Sequence, residues 1–316
     1  MLRRARSARP VVLFVGISVF LLWFAAVGWA PNTGSTETLA VPAASPDPAH
    51  DPPRLADLTD LPLPRVRAQA AIVYNPATHE ILWESNGHQP RPIASITKVM
   101  TVLVFLEQEP DLDAEVVVSR RDVRRANTTY LRRGERITLR NLLHLSLMAS
   151  DNAAARVLAR VSPWGTVGFV EQMNLKAEEL GLRSTSFADP SGLHASNEST
   201  AYDLSRLIAH ATTQDRITSI MRKRSYRMRT SRRRLTVRNT NRLLEGRLVV
   251  YAGKTGYIDA SGYCLAAVVK IEGSDPVAVV VLGASSNARR FSEVRRLADW
   301  VFKNGPSLIG PAIEAE

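Results

Sequence analysis

A regular pattern of apolar and polar residues begins only after residue 65, and it first predicts a β-hairpin. Residues 70–74 and 81–84 are mostly apolar and indicate two strands joined by an Asn-Pro-Ala-Thr turn. We expect this hairpin to have one apolar face. That face would consist of Ala71, Val73, Ile81 and Trp83.

Helical periodicity dominates the middle of the chain. Apolar residues recur at three- and four-residue spacing over residues 96–107, and this segment is apolar enough to predict a buried helix. Further helices are predicted at 139–148, 152–161, 167–180 and 202–212, and a closing helix at 292–303. Strands are predicted at 225–229, 235–238, 251–257, 262–269 and 277–282.

This order of elements predicts an α/β fold of the α+β type. The early hairpin can join the late strands only by pairing across the chain, so the sheet should be antiparallel. We expect the terminal helices to flank and cover the sheet, and the helical block to form an adjoining lobe. A cleft would then lie between the sheet and the helical lobe.

The first thirty residues predict export. Arg3, Arg4, Arg6 and Arg9 precede an uncharged apolar run at residues 11–30, which is long enough to cross a bilayer. The arginines place the amino terminus in the cytoplasm and the rest of the chain outside it. We favour a retained membrane anchor over a cleaved signal segment, because the apolar run exceeds the usual signal core. The domain that follows is expected outside the cytoplasm, either anchored to the membrane or released by cleavage.

The rest of the chain divides by composition. Residues 31–65 contain eight prolines and predict a linker. Residues 66–305 suffice for one enzyme domain with a full core, and residues 306–316 would form a short tail.

The net charge of +11 is concentrated in one segment. A basic cluster in this position suggests nucleic acid, but no nucleic-acid-binding motif accompanies it, so we predict no nucleic-acid partner. Anionic envelope polymers or lipid head groups are one interpretation, and a solvated hairpin face without a ligand is the other. The cluster comprises Arg222, Lys223, Arg224, Arg227, Arg229, Arg232, Arg233 and Arg234.

Other reactive side chains carry less information. Cys264 is the only cysteine and lies in an apolar strand, which favours a buried filler over a reactive thiol. The six histidines lack the spacing of metal ligands, so neither a metal nor another cofactor is predicted. Trp83 and Trp300 are predicted to anchor the core.

Three short motifs carry the candidate chemistry. The first motif sets a serine and a lysine one helical turn apart, so that the amine can reach the hydroxyl. Such an amine acts as a base only if burial or a neighbouring cation lowers its pKa. The motifs are Ser95-Ile96-Thr97-Lys98, Ser150-Asp151-Asn152 and Lys254-Thr255-Gly256.

Ser95 is therefore the predicted nucleophile and Lys98 its base, with Lys254 as the neighbouring cation. Ser150 would pass a proton between Lys98 and the leaving amine, and Asn152 would hold the substrate amide. Taken alone, the second motif is also typical of a turn between two helices.

The third motif suits recognition of a peptide end. Lys254 and Thr255 can bind a carboxylate by charge and by hydroxyl donation. Gly256 would let an extended substrate lie along the strand edge. The backbone N–H groups of Tyr257 and Ser95 would then form an oxyanion hole.

These motifs resemble those of the low-molecular-mass penicillin-binding proteins, the D-alanyl-D-alanine peptidases of the bacterial wall. The resemblance extends over residues 70–303 and implies a β-lactamase/transpeptidase-like fold with an acyl-enzyme on Ser95. It also implies a location in the bacterial envelope, with a periplasmic domain anchored to the inner membrane or released by signal cleavage. It also implies peptidoglycan peptides that end in, or are cross-linked through, D-alanine as substrates, and β-lactam antibiotics as covalent inhibitors. Further segments that carry it are Tyr130-Leu131-Arg132-Arg133-Gly134-Glu135 and Asp189-Pro190-Ser191-Gly192-Leu193.

Two segments resemble the endopeptidase branch of that family. They are Arg238-Asn239-Thr240-Asn241 and Gly262-Tyr263-Cys264-Leu265. Many carboxypeptidases of the family carry a further β-domain and a carboxy-terminal anchor. This sequence ends at Glu316 with neither of them, and we therefore expect the endopeptidase branch. Whether the enzyme trims free tails or cuts cross-links stays open.

Two rival functions share parts of the pattern. A class A β-lactamase has all three motifs, but it also needs a Glu-x-x-Leu-Asn segment, and here Glu179 is followed by Arg183 where asparagine belongs. A catalytically silent wall-binding protein could keep the fold. Intact Ser95, Lys98 and Lys254 argue against that alternative, because a binding module does not need a nucleophile beside a base.

Overall fold

The computed structural model describes residues 62–270 and 275–308. The predicted anchor, the linker up to residue 61 and the tail from residue 309 lie outside these ranges. Within the described ranges, no helix combines the length and the apolarity needed to cross a membrane.

The elements follow the predicted order, with additional short strands. The strands are β1 (Ala70–Asn75), β2 (Glu80–Ser85), β3 (Arg91–Pro92), β4 (Glu115–Val117), β5 (Arg136–Thr138), β6 (Glu198–Ser199), β7 (Ser225–Arg229), β8 (Arg234–Arg238), β9 (Val249–Ile258), β10 (Gly262–Lys270) and β11 (Val277–Ala284). The helices are α1 (Lys98–Leu106), α2 (Arg120–Val123), α3 (Leu139–Met148), α4 (Asn152–Val161), α5 (Gly165–Glu179), α6 (Ala201–Ala211), α7 (Asp215–Met221) and α8 (Asn287–Leu308). Two 3-10 turns occupy Ala94–Thr97 and Arg242–Glu245.

The main sheet has five strands in the order β2-β1-β11-β10-β9, and every pairing is antiparallel. The early hairpin joins the late strands through β1, whose residues 70–74 pair with β11. The predicted pairing across the chain is therefore confirmed. Strand β9, which contains the third motif, lies at an edge of this sheet.

Both faces of the sheet are buried, one towards the helical lobe and the other towards α8. Ile72 and Tyr74 of β1 belong to the lobe-side core, whereas Ala71 and Val73 belong to the core under α8. The register between β1 and β2 shifts after Val73, and Ile81 packs on the lobe side. The prediction of one apolar hairpin face was wrong, because alternation does not reveal a strand that is buried on both sides.

Helix α1 is the centre of the helical lobe. Residues 98–105 are all buried, and α3, α4, α5 and α6 surround them. The terminal helices were expected to cover the sheet, but the first of them, α1, lies inside the helical lobe: α6 packs on the lobe-side face and α8 on the other. A helix that is apolar all round has no face for solvent, so it belongs among other helices. The 3-10 turn before α1 packs on β9 and β10 of the sheet.

Strands β7 and β8 form a hairpin separate from the main sheet. Met228 and Val237 are buried on its inner side, which lies against α3. At the tip, the N–H of Ser231 donates to the carbonyl of Arg136 at 2.9 Å, and the N–H of Arg136 donates to Oγ of Ser231 at 3.0 Å. The hairpin is thereby fastened to the start of β5 in the helical lobe.

A buried ion pair adds to this attachment. The carboxylate of Glu135 is fully buried, and its Oε1 lies 2.8 Å from Nε of Arg233. The other oxygen accepts the N–H of Arg132 at 3.1 Å. Removal of the guanidinium would leave a buried charge without its partner.

We expect the Arg233→Gln variant to lose about 2 to 4 kcal/mol of unfolding free energy, because Glu135 would remain buried and charged. Urea denaturation followed by circular dichroism measures this loss. The matched control is Arg229→Gln, an exposed arginine of the same hairpin, which should change stability by less than about 0.5 kcal/mol. Equal effects of the two substitutions would show that the Glu135 pair does not hold the hairpin.

Candidate active site

Ser95 lies in the 3-10 turn that precedes α1, and neighbouring segments fix this turn tightly. Ala94 has a φ of 48°, a left-handed conformation that is costly for a residue with a side chain. A Cβ added to Gly192 would overlap the backbone of Ala94, and one added to Gly256 would lie 2.7 Å from the carbonyl oxygen of Ile93. Both glycines therefore allow their backbones to clamp the turn that carries the serine.

The Lys98 side chain is fully buried beside this serine. Its Nζ lies 2.9 Å from Oγ of Ser95 and 2.6 Å from Oδ1 of Asn152. It also donates to the backbone carbonyl of Ser191. The amine is held by three oxygen atoms from three separate segments, so its position is well defined.

Burial is the main influence on the charge of this amine. Burial lowers the pKa of Lys98 from 10.5 to about 7, although the charges of Asp189 and Asp151 act in the opposite direction. Burial also lowers the pKa of Lys254, and the next contribution there is repulsion from the charge of Lys98. The sequence identified Lys254 as the cation that acts on Lys98, whereas in the structure the principal cause at Lys98 is burial.

Ser150 and Asp151 link α3 to α4. Ser150 has a left-handed backbone with a φ of 58°, and its Oγ accepts a hydrogen bond from Nζ of Lys254 at 2.9 Å. Lys98 was its predicted partner, so the structure joins Ser150 to the other lysine. Asp151 caps α4 by accepting the N–H of Ala154 at 2.9 Å, and it accepts the N–H of Tyr130 at 2.6 Å.

Asn152 is almost fully buried at the start of α4. Its Nδ2 donates to the carbonyl of Ala126 at 2.7 Å, while its Oδ1 contacts Lys98. Each end of an amide can make a second hydrogen bond. Asn152 therefore orients the lysine, and each end of its amide has one further hydrogen-bonding position.

The third motif lies on β9. The amine of Lys254 also donates to the carbonyl of Thr255 at 2.9 Å. The hydroxyl of Thr255 lies 2.6 Å from that of Thr240, which follows β8. The carbonyl of Gly256 accepts a hydrogen bond at 2.9 Å from Nη1 of Arg290. Arg290 is a buried residue of α8 that the sequence analysis missed. Its hydrogen bond holds β9 from the side of the sheet that α8 covers.

Tyr257 follows the motif with its ring half exposed. The ring stacks on that of Tyr263 at a centroid distance of 4.3 Å, and its hydroxyl donates to Asp259 at 2.8 Å. A Cβ on Gly256 would lie 3.2 Å from the backbone nitrogen of Ser95. The Ser95 amide thus lies beside the backbone of Gly256, the residue that precedes Tyr257 in β9.

Asp189 organises the loop that supplies the Ser191 carbonyl. Its carboxylate accepts the N–H groups of Ser191 at 2.6 Å, Gly192 at 3.0 Å and His194 at 2.7 Å, and the Nδ2 of Asn197 at 2.7 Å. Burial opposes ionisation, but these hydrogen bonds outweigh it and lower the pKa of Asp189. The sequence analysis noted this segment without assigning a role to it. An aspartate that precedes Ser-Gly was the available signal, since its side chain can cap the amides that follow.

The comparison with known proteins agrees with this geometry. The family model for D-alanyl-D-alanine carboxypeptidase matches residues 58–286. The chain belongs to this family. The suspected family, the enzyme class and the fold class are thus confirmed, and the protein is a serine hydrolase of the D-alanyl-D-alanine peptidases.

Both kinds of peptidase occur among the relatives. The D-alanyl-D-alanine endopeptidase of Pseudomonas aeruginosa is 33% identical over 283 residues, which cover 88% of this chain and 90% of the relative. The D-alanyl-D-alanine carboxypeptidase DacF of Bacillus subtilis is 31% identical over 245 residues, which cover 74% of this chain and 62% of the relative. The crystal structure of the Streptomyces K15 DD-transpeptidase matches with a TM-score of 0.73 and 27% identity, over 77% of this chain and 100% of that one.

We expect the Lys98 amine of this peptidase to titrate near pH 7. Nuclear magnetic resonance of protein with ¹³C-labelled lysine side chains measures it, and the Lys98→Met variant identifies the signal by its loss. Between about pH 7 and 10 the folded protein would bind fewer protons at this site than the unfolded chain, so stability should rise with pH relative to Lys98→Met. A titration midpoint above about pH 9 would show that the amine is solvated.

Proposed function

We propose that this protein is a serine D,D-peptidase that acts on peptidoglycan stem peptides through an acyl-enzyme on Ser95. One observation carries the proposal. The Ser95 hydroxyl lies 2.9 Å from a buried amine, that of Lys98, whose pKa burial lowers to about 7. About half of such amines are neutral at pH 7, so the serine has a base within hydrogen-bond distance.

In acylation, neutral Lys98 takes the proton of Ser95, and Oγ bonds to the carbonyl carbon of a D-alanyl residue. Negative charge develops on the carbonyl oxygen. The backbone N–H groups of Ser95 and Tyr257 are the proposed donors to it, at about 3 kcal/mol per donor. The proximity of the Ser95 amide to β9 supports this assignment.

The bond to the leaving nitrogen then breaks, and that nitrogen takes a proton from the hydroxyl of Ser150. Lys254 replaces the proton, because its amine already donates to Ser150 Oγ. The proton that Lys98 took from Ser95 returns to Lys254 through solvent, which leaves Lys98 neutral again. Lys98 then takes a proton from the water that attacks the ester, and it gives this proton to Oγ of Ser95 as the acid product leaves. The net reaction consumes one water and divides one amide into an acid and an amine.

Substrate binding uses the remaining predicted residues. Lys254 and Thr255 would hold the carboxylate of the leaving residue. Asn152 would bind the substrate amide through its free positions. Strand β9 lies at the edge of the sheet, so an extended peptide can lie beside it as an added strand.

The endopeptidase reaction is the favoured variant. The enzymes of Pseudomonas aeruginosa and Escherichia coli that align over 88% and 83% of this chain are both named D-alanyl-D-alanine endopeptidase. Their names also support a place in the bacterial cell envelope. Anchoring through residues 11–30 would keep the enzyme at the inner membrane, facing the wall.

We expect a labelled penicillin to form a long-lived adduct on Ser95, because the β-lactam amide mimics the scissile bond and the adduct is hydrolysed slowly. Ser95→Ala should abolish the label, as followed by gel fluorescence and by mass spectrometry of the labelled peptide. The control is Ser196→Ala, an exposed serine of the nearby loop, which should keep full labelling. Release of the label within seconds would favour a β-lactamase instead.

We expect the full-length chain, in a mild detergent, to convert cross-linked wall fragments into monomers. The reason is that the open β9 edge continues beyond the carboxylate-binding pair. Chromatography of purified fragment dimers before and after digestion measures the reaction. Loss of terminal D-alanine from monomers, with dimers intact, would identify a carboxypeptidase.

A further inference from the structure

The outer side of the β7–β8 hairpin carries four arginines. Residues at every second position are exposed, whereas the intervening Met228 and Val237 are buried. The register places Arg229 directly opposite Arg234. We name this set, Arg227, Arg229, Arg234 and Arg238, the arginine face.

The arginine face is not neutralised by the protein itself. Across the described residues, no hydrogen bond or ion pair joins these four guanidinium groups to an acidic side chain. Like charges directly opposite each other on two strands are destabilising. Arg233, at the tip of the same hairpin, does have a carboxylate partner in Glu135. The face therefore keeps an unpaired charge that an external anion can use.

The position of the face relates it to the catalytic cleft. Strand β8 leads into Thr240, whose hydroxyl lies 2.6 Å from that of Thr255 and whose N–H donates to the carbonyl of Met148 at 2.9 Å. Arg238 is the last residue of β8 and lies two residues before Thr240 in the chain. The arginine face thus begins close to the residue that contacts Thr255, which is proposed to hold the substrate carboxylate.

Peptidase substrates differ at this end of the cleft. When the leaving group is a single D-alanine, nothing extends past Thr255. When the leaving residue belongs to a cross-link, a second peptide continues from it. At about 3.3 Å per residue, Arg238 lies roughly 7 Å and Arg234 roughly 20 Å beyond Thr240 along the strand, within reach of such a peptide.

We propose that the arginine face binds the carboxylates of an acidic leaving peptide and so makes the enzyme select cross-linked substrates. This inference rests on the proposed function and adds the class of leaving group. The exposed positions hold only arginine, serine and threonine, so the face offers no apolar side chain that could insert into a bilayer. A carboxylate-bearing peptide fits this surface better than a membrane does.

The test uses two synthetic substrates with the same D-alanyl acyl half. In both, the leaving residue is a D-amino acid with a free carboxylate, and its side chain continues into a short peptide. That peptide contains glutamate in one substrate and glutamine in the other. For the wild type we expect kcat/KM to be about three- to tenfold higher for the glutamate substrate, as two exposed ion pairs would give.

The Arg234→Gln/Arg238→Gln variant should bring this ratio close to one. Its control is Arg183→Gln/Arg295→Gln, which removes two exposed arginines elsewhere, after α5 and on α8, and should keep the wild-type ratio. The ratio should also fall towards one in 0.5 M salt, because exposed charges are screened. A ratio near one in the wild type, or a preference that survives in the Arg234/Arg238 variant, would overturn the proposal.

A binding measurement separates this proposal from the proposed function. Calorimetry with the Ser95→Ala variant needs no turnover, and it should show tighter binding of the glutamate peptide that disappears with Arg234→Gln/Arg238→Gln. Equal binding of both peptides would refute the arginine face even if Ser95 is acylated normally. A third outcome would assign the face to lipid and refute the proposal. In that case the arginine variant no longer sediments with phosphatidylglycerol vesicles, but its preference for the glutamate peptide is unchanged.

Discussion

The burial of one lysine amine is the constraint on which the site depends. An amine in the interior loses hydration of its charged form, so its neutral form becomes accessible near pH 7. Lys98 reaches this state beneath the serine, with Asn152 and the Ser191 carbonyl as its other contacts. The buried carboxylates of Asp189 and Asp151 act in the opposite direction and limit the fall in its pKa. Each of these groups comes from a different part of the chain, so the fold is needed to set the balance.

The surrounding backbone is shaped to maintain this arrangement. Two residues with side chains are held in left-handed conformations: Ala94, directly before Ser95, and Ser150, whose hydroxyl contacts Lys254. Such strain persists only where the surroundings over-determine the backbone. At Ala94, the closely packed backbones of Gly192 and Gly256 hold this conformation in place. The stability of the lobe and of the sheet is thus used to hold the serine turn at a position it would not adopt alone.

The sequence predicted correctly those features that a short motif or a long apolar pattern encodes. The three motifs, the buried α1 and the pairing of β1 with the late strands were all predictable, because short spacings and strong apolar patterns encode them. The division of β1 between two cores was not, since a strand buried on both faces shows no alternation. The roles of Asp189 and Arg290 were missed for a different reason: each acts through backbone groups, which leave no residue signature. The exchange of partners at Ser150 depends on distances of a few ångströms that no spacing rule resolves.

The two lysines couple substrate recognition to reactivity. The charge of Lys98 lowers the pKa of Lys254, and such an interaction between two sites is reciprocal. A substrate carboxylate that arrives at Lys254 and Thr255 favours the charged form of Lys254. A charged Lys254 in turn favours the neutral form of Lys98, which is the form that can take the serine proton. In the proposed mechanism, a peptide with the correct acidic end therefore prepares the base as it binds, while a peptide without that end leaves Lys98 more protonated and the serine less reactive.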